Sequence, residues 1–307
     1  MSQADGSFQK AKHVVIFPYF CDEEVDRYCR IVDWLKANNV DLSGIEFLLA
    51  ASPRTPPSTK LAKSVAQVAE FQQFQCPSQV FGYPQGPTAM FWDCMDYIAE
   101  NYSGDGFSLW FESDMVFTKR DWVSRLERDW YGNANPLLLM GCFIPEVYKF
   151  RWLRQKKKIL DPHINGGACY ALDFARHMPP EARDGVFDMV VYEFAKAQNA
   201  AIATEQISFS TMSRVRRDVC DDRTCILHGF MQEKDAFVDA AMAPVSDRER
   251  KNQFLHPVQD QMEIMRRRLS VCFFRKGRKS VLESTLLAQH DLRKQPHGLN
   301  TIRRQAS

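Results

Sequence analysis

Glu112-Ser113-Asp114 follows without a break the short apolar run Phe107–Phe111. A run of that composition reads as a buried strand, and in open α/β sheets ligands bind outside the carboxyl ends of strands. Two carboxylates one residue apart at such an end can face the same crevice. Hard divalent cations take oxygen ligands, and Mg²⁺ keeps waters plus one or two carboxylates plus substrate phosphates. A cation held there would offset the negative charge that builds on a departing diphosphate. Solvated acids in loops are common, so the pair needs company.

That company comes from three segments. In His163-Ile-Asn-Gly-Gly-Ala-Cys-Tyr-Ala-Leu-Asp173 two adjacent glycines precede an apolar strand. Asn165, Gly166 and Gly167 read as a turn that allows positive φ and lets backbone approach a ligand closely. Phe187-Asp188 opens a helical segment that runs to about Asn199. A carboxylate is electrostatically favoured at a helix N-terminus; the same group could take the proton of an acceptor hydroxyl as a general base. Cys225-Ile-Leu-His228-Gly229 is a short apolar strand ending in a histidine. That histidine either sits satisfied in the fold or completes a metal shell from the far side of a cleft.

The elements that must position these groups alternate. His13 to Phe20 reads as a buried strand, Asp22 to Asn39 as a capped helix, and Ile45 to Ala51 as a second strand. A Pro-rich loop (52–58), a helix from Lys60 to Phe74, a third strand over Val80–Tyr83 and a helix from Gly86 follow. Leu137–Ile144 reads as a further strand and the basic stretch 149–158 as an exposed helix or loop. Strand-helix alternation predicts an α/β sandwich on a mostly parallel sheet. In the loop after the first strand, Pro18, Tyr19 and Phe20 are expected to line a nucleotide pocket, with Tyr19 or Phe20 stacking on a base; Trp110 is expected in the core.

The order of these features resembles the GT-A glycosyltransferases. That resemblance covers roughly residues 13–235. It implies a GT-A-like α/β/α sandwich with an Asp-x-Asp motif holding a divalent metal, Mn²⁺ or Mg²⁺, on a nucleoside-diphosphate sugar, with UDP-sugar as the leading donor. Carried over by position, Glu112 stands where the first aspartate is usual, and Asp114 matches the last acid and also contacts the donor. His228 matches a late histidine ligand, giving a metal set of Glu112, Asp114 and His228. Asp188 matches the base of inverting members, although the Glu-Asp doublet common in them is absent. The implied reaction moves a sugar to a hydroxyl acceptor, whether a glycan, a lipid-linked acceptor or another.

Charge divides the chain. Residues from Val245 onward carry fourteen Lys/Arg and six Asp/Glu within an overall charge of +2, so the preceding body is acidic. Three parts are expected: a flexible N-terminus (1–12), a catalytic domain (13–244) and a basic, helical C-terminal extension (245–307). In the extension, basic clusters flank the apolar Leu269–Phe274 segment. They suit an anionic membrane surface, a nucleic acid carrying a modified base as acceptor, or a helix packed on the body with a solvated charged face. No apolar run reaches 18 residues, so no transmembrane segment is expected. The polar N-terminus and nine scattered cysteines place the chain in the cytoplasm, with a peripheral membrane site as an option. Competing classes are a nucleotidyltransferase, whose Gly-rich phosphate loop is missing after the first strand, and a non-catalytic nucleotide-sugar-binding module, which would not need to keep the acids.

Overall fold

The computed structural model describes residues 13–145, 147–150, 156–229 and 233–246. Its first half is strand-helix alternation: β1 (His13–Tyr19), α1 (Asp22–Ala37), β2 (Ile45–Ala51), α2 (Thr59–Val65), β3 (Glu70–Gln75), α3 (Gln85–Asn101) and β4 (Phe107–Trp110). After β4 come β5 (Met115–Phe117), α4 (Trp122–Tyr131), β6 (Leu139–Ile144), β7 (Val147–Phe150), β8 (Lys156–Leu160) and β9 (His163–Ala171). The chain then forms α5 (Phe174–His177), a 3₁₀ turn (Pro180–Arg183), α6 (Phe187–Ala197), β10 (Ala201–Ala203), β11 (Ile207–Ser210), α7 (Val215–Cys220), β12 (Ile226–Gly229) and α8 (Lys234–Met242).

Seven strands make the main sheet in the order β10-β6-β9-β4-β1-β2-β3. All neighbouring pairs are parallel except those of β9, which runs antiparallel to both β4 and β6. The sheet is therefore α/β and mostly parallel, as the alternation predicts. β1, β2 and β4 are buried along their whole length, as expected of strands covered on both faces. A smaller sheet, β11-β12-β5, stands beside the main one and joins the chain after the acids to the chain around His228.

Four local expectations are corrected. The segment read as one helix from Lys60 to Phe74 breaks after Val65, and Glu70–Gln75 pairs with β2 instead. β2 is buried along its whole length, and the ladder along its free edge satisfies its backbone groups in register, which outweighs local helical spacing. Val80–Tyr83 is not a strand; the loop passes through Gly82 at φ +83°, and no strand of either sheet lies alongside it. The basic stretch 149–158 contributes to the antiparallel pair β7-β8 and is not helical where it is described. Asn165-Gly166-Gly167 lies inside β9 and is no turn. The N-terminus (1–12) and the basic extension from residue 247 fall outside the described residues, and no described helix is long and apolar enough to cross a membrane.

One buried hydroxyl ties the ends of two central strands together. Tyr28 of α1 is fully buried, and its Oη lies 2.9 Å from the Pro18 carbonyl and 2.8 Å from the Phe111 carbonyl. Its single proton is shared between the second-last residue of β1 and the residue before Glu112. Removing that hydroxyl leaves two inward-facing carbonyls without their donor, which costs about 1–3 kcal/mol. Tyr28→Phe should therefore lower the unfolding free energy in urea by that amount with an unchanged denaturant slope; an unaltered midpoint would show that the bond does not hold the strand ends.

Candidate functional site

The acids sit at the carboxyl end of β4, in the two residues on either side of Ser113 that lead into β5. β5 is only three residues long, but it pairs antiparallel with β12 so that Met115 lies opposite His228. The Gly229 N–H donates to the Asp114 carbonyl at 2.8 Å, extending the ladder by one rung to the second acid. Met115 and His228, directly opposite each other, share a face of this ladder, and Asp114 stands one rung beyond, where the chain leaves β5. The result is convergence: one ligand atom from each of Glu112, Asp114 and His228 can be chosen so that all lie within 4.8 Å of one another. The His228 Nε2 is 3.4 Å from a Glu112 oxygen and 3.3 Å from Asp114 Oδ1.

Two strand glycines make room for this. A Cβ on Gly166 would stand 2.7 Å from the Phe187 ring edge and 3.2 Å from Glu112 Oε1. One on Gly167 would meet Met115 Sδ at 2.7 Å and His228 Nδ1 at 3.0 Å. Neither residue has positive φ, so their contribution here is the missing side chain rather than backbone freedom. The Asn165 side chain accepts the Gly167 N–H at 3.1 Å. Phe187 cannot swing aside easily, because its ring stacks on Phe91 at 4.0 Å between centroids.

Electrostatics in the cluster are strong. Burial opposes charge on His228, but the neighbouring Glu112 and Asp114 carboxylates win and push its pKa up to about 9. Burial also works against charge on Asp114, yet His228 and Lys234 hold its carboxyl well below the usual carboxylate range. Lys234, the first residue of α8, places its Nζ 3.1 Å from Asp114 Oδ2. Arg27 on α1 reaches Asp235 at 3.2 Å and Arg30 reaches Asp239 at 2.6 Å, so α8 is tied to α1 just behind that lysine. His228 Nδ1 is buried without a hydrogen-bond partner, and the buried Asp114 Oδ1 faces the other ring nitrogen. Two carboxylates and an imidazole that gives up its proton to a cation form a donor set that suits Mn²⁺, since oxygen ligands suit Mg²⁺ and Mn²⁺ and neutral imidazole suits transition metals. The residues present fit a divalent cation.

Asp188 lies in the first turn of α6, with Oδ1 buried and unpartnered. Burial raises its pKa to about 6, against the opposing influence of His163 and with help from the Glu112 charge. Glu24, in the first turn of α1, accepts the Phe20 N–H at 2.7 Å and the Ser113 hydroxyl at 3.4 Å. It thus links the loop after β1 to the residue between the two acids.

A cavity of about 380 Å³ opens beside this cluster, and Phe20, Phe81 and Tyr83 form much of its wall. Pro18 and Tyr19 are buried in β1. Tyr19 is fully buried, its Oη accepting the Ser58 N–H at 2.9 Å; of Pro18, Tyr19 and Phe20, Phe20 lines this cavity. Phe20 on the cavity wall gives its N–H to Glu24, whose other oxygen takes the Ser113 hydroxyl, so the cavity and the acids are neighbours. Trp110 is in the core as expected. Lys234, Glu24, Arg54, Phe81 and Tyr83 were not singled out in the sequence; each is a lone residue in an irregular segment or first helical turn, without a motif to mark it.

No known protein family matches the chain, and no curated protein does. Among solved structures it is similar to the galactosyltransferase LgtC in complex with donor and acceptor sugar analogs, at 11% identity over 78% of this chain and 99% of that one, with a TM-score of 0.44. It is also similar to the mannosyltransferase PcManGT from Pyrobaculum calidifontis, at 11% identity over 93% and 81% of the two chains, TM-score 0.43. A third is 4-diphosphocytidyl-2C-methyl-D-erythritol synthase, at 12% identity over 76% and 98%, TM-score 0.44. Likeness at that level carries no chemistry, which rests on the residues of this chain.

Two outcomes follow from the geometry. Gly166→Ala forces a Cβ against a stacked ring and a carboxylate, and should destabilise the fold by about 1–3 kcal/mol in chemical denaturation; a neutral result would mean that β9 shifts freely. Asp188 binds its proton more tightly folded than unfolded, so its ionisation erodes stability as pH rises from the unfolded carboxylate range through about 6. Asp188→Asn should therefore be the more stable protein at pH 7, by about 1–3 kcal/mol, with the advantage vanishing below about pH 4. Unfolding curves of both proteins across that range decide it, and parallel pH profiles would remove the assignment.

Proposed function

We propose that this protein is a metal-dependent glycosyltransferase that moves a sugar from a nucleoside-diphosphate sugar to a hydroxyl acceptor. The observation that carries the reading is the convergence of Glu112, Asp114 and His228 beside an aromatic-walled cavity. Such an acid-rich site at a strand end, next to a pocket for a flat ring, suits a donor with a planar base and a charged diphosphate. A bound Mn²⁺ or Mg²⁺ would supply Lewis-acid relief of the charge developing on the leaving diphosphate.

The chain's own residues account for the rest. Glu112, Asp114 and His228 are the ligands, and Glu24 holds Ser113 between the two acids. Lys234 shares Asp114 in the structure and adds a positive charge at the same place. Asp188 acts as general base: with its pKa near 6 it is ionised at neutral pH, yet basic enough to take the proton of an attacking hydroxyl. A base on the acceptor side fits an inverting displacement. Gly166 and Gly167 keep β9 close to the reacting groups, and Asn165 fixes the Gly167 amide.

The test is a donor-binding and turnover screen. A nucleoside-diphosphate sugar at 100 times its Kd should stabilise the fold by about 2.7 kcal/mol, and the shift should require Mn²⁺ and disappear in Asp114→Ala. Asp188→Asn should retain the donor shift while losing about 10²- to 10⁴-fold in turnover. Donor binding that is indifferent to metal and to Asp114 would sink the metal-dependent reading; wild-type turnover in Asp188→Asn would remove the base.

A further inference from the structure

Arg54 is the sole charged residue among those lining the cavity. Its guanidinium carbon stands 3.4 Å from the centroid of the Phe81 ring, a cation–π stack that lays the guanidinium flat on the aromatic face. Among the described residues no carboxylate pairs with it. Stacking covers the face of the group but leaves its N–H edges free, all in one plane.

The Ser52 and Thr55 groups of the wall are engaged with each other and with neighbouring groups. Ser52 Oγ and Thr55 Oγ1 are 2.8 Å apart, and Thr55 Oγ1 donates to the Phe20 carbonyl at 2.8 Å. The Ser52 N–H donates to the Tyr19 carbonyl at 2.9 Å, and the Ser52 carbonyl accepts from the Thr55 N–H at 3.0 Å and from the Gln75 side chain. Besides the exposed Tyr83 hydroxyl, what the cavity offers a ligand is aromatic surface and one flat fork of donors. A matching ligand is a planar ring with two adjacent acceptors on one edge, lying in the guanidinium plane.

We infer that the donor's base is guanine, read by Arg54 through its O6 and N7. This inference rests on the cavity being the nucleotide pocket of the proposed transferase. Guanine presents O6 and N7 side by side, the pair that arginine engages with two parallel hydrogen bonds. Adenine places an amino donor next to N7 and would set donor against donor. Uracil separates its two carbonyls by an N–H and gives the fork one acceptor at a time. Cytosine has an adjacent acceptor pair but only a single ring to lay against Phe20 and Tyr83. A base coplanar with a guanidinium stacked on Phe81 continues that layer, so recognition and stacking do not compete. The structure thus favours GDP-sugar over the UDP-sugar expected from the resemblance.

Binding of GDP, UDP, CDP, ADP and 7-deaza-GDP should be titrated with Mn²⁺ present, on the full chain and on Arg54→Lys. Arg54 is exposed, so the variant should melt like wild type without ligand. Lysine keeps the charge but cannot form the two-pronged contact. The wild type should bind GDP about 10-fold or more tighter than each of UDP, CDP and ADP, with 7-deaza-GDP losing most of that margin. In Arg54→Lys the margin should shrink to about 2-fold while UDP affinity stays put. UDP or CDP binding as tightly as GDP, or a preference that survives in Arg54→Lys, would overturn the base assignment and leave the donor-pocket reading standing. Failure of every nucleoside diphosphate to bind would bring down that reading, and this inference with it.

Discussion

A single backbone hydrogen bond, from the Gly229 N–H to the Asp114 carbonyl, joins two parts of the chain more than a hundred residues apart. It belongs to the antiparallel pairing of β12 with β5, which sets His228 opposite Met115. Shifting that register by one residue would turn the imidazole to the other face of the small sheet and dissolve the cluster. The rest of the site assumes this pairing. Gly167 gives His228 space from the β9 side, Gly166 does the same for Glu112, and Tyr28 fixes the strand end from which the acids emerge.

The pairing gathers charges whose burial is costly. Isolated buried charges are expensive, so the fold balances them. In the structure the two carboxylates are compensated by the His228 imidazole and by Lys234, which α8 delivers while itself bound to α1 through Arg27 and Arg30. Asp188 is the exception, buried at Oδ1 without a partner, and its raised pKa is the consequence. A buried carboxylate compensated only in part destabilises the protein at neutral pH, and such positions are where proton transfer is found.

Much of this was legible in the sequence because it depended on local chemistry. The buried strands β1, β2 and β4 announce themselves as apolar β-branched and aromatic runs, and the acids directly follow one of them. His228 at the end of an apolar run and Asp188 at the head of a helical one stood out by position, with their roles taken from the family resemblance, and the structure brings Glu112, Asp114 and His228 together. What could not be read depended on distant partners. β3 is a strand because β2 has an edge to fill, not because Glu70–Gln75 carries an unambiguous strand pattern. Asn165-Gly166-Gly167 looked like a turn, since adjacent glycines usually mean positive φ; in the fold they are strand residues whose missing side chains admit a ring, a thioether and an imidazole. Tyr19 and Phe20 were equal candidates for a pocket wall, and the alternation of a strand end buried one and exposed the other. Lys234, Glu24 and Arg54 meet the site only through tertiary packing.

The central claim is that Glu112, Asp114 and His228 together hold a divalent cation, and Mn²⁺ allows it to be read directly. Pulsed electron paramagnetic resonance on the Mn²⁺-loaded protein reports nitrogen nuclei bonded to the metal. The account predicts modulation from one imidazole nitrogen, changing isotope pattern when histidine is ¹⁵N-labelled and vanishing in His228→Ala. Tightly bound Mn²⁺ with no nitrogen coupling, or a coupling that persists in His228→Ala, would contradict it.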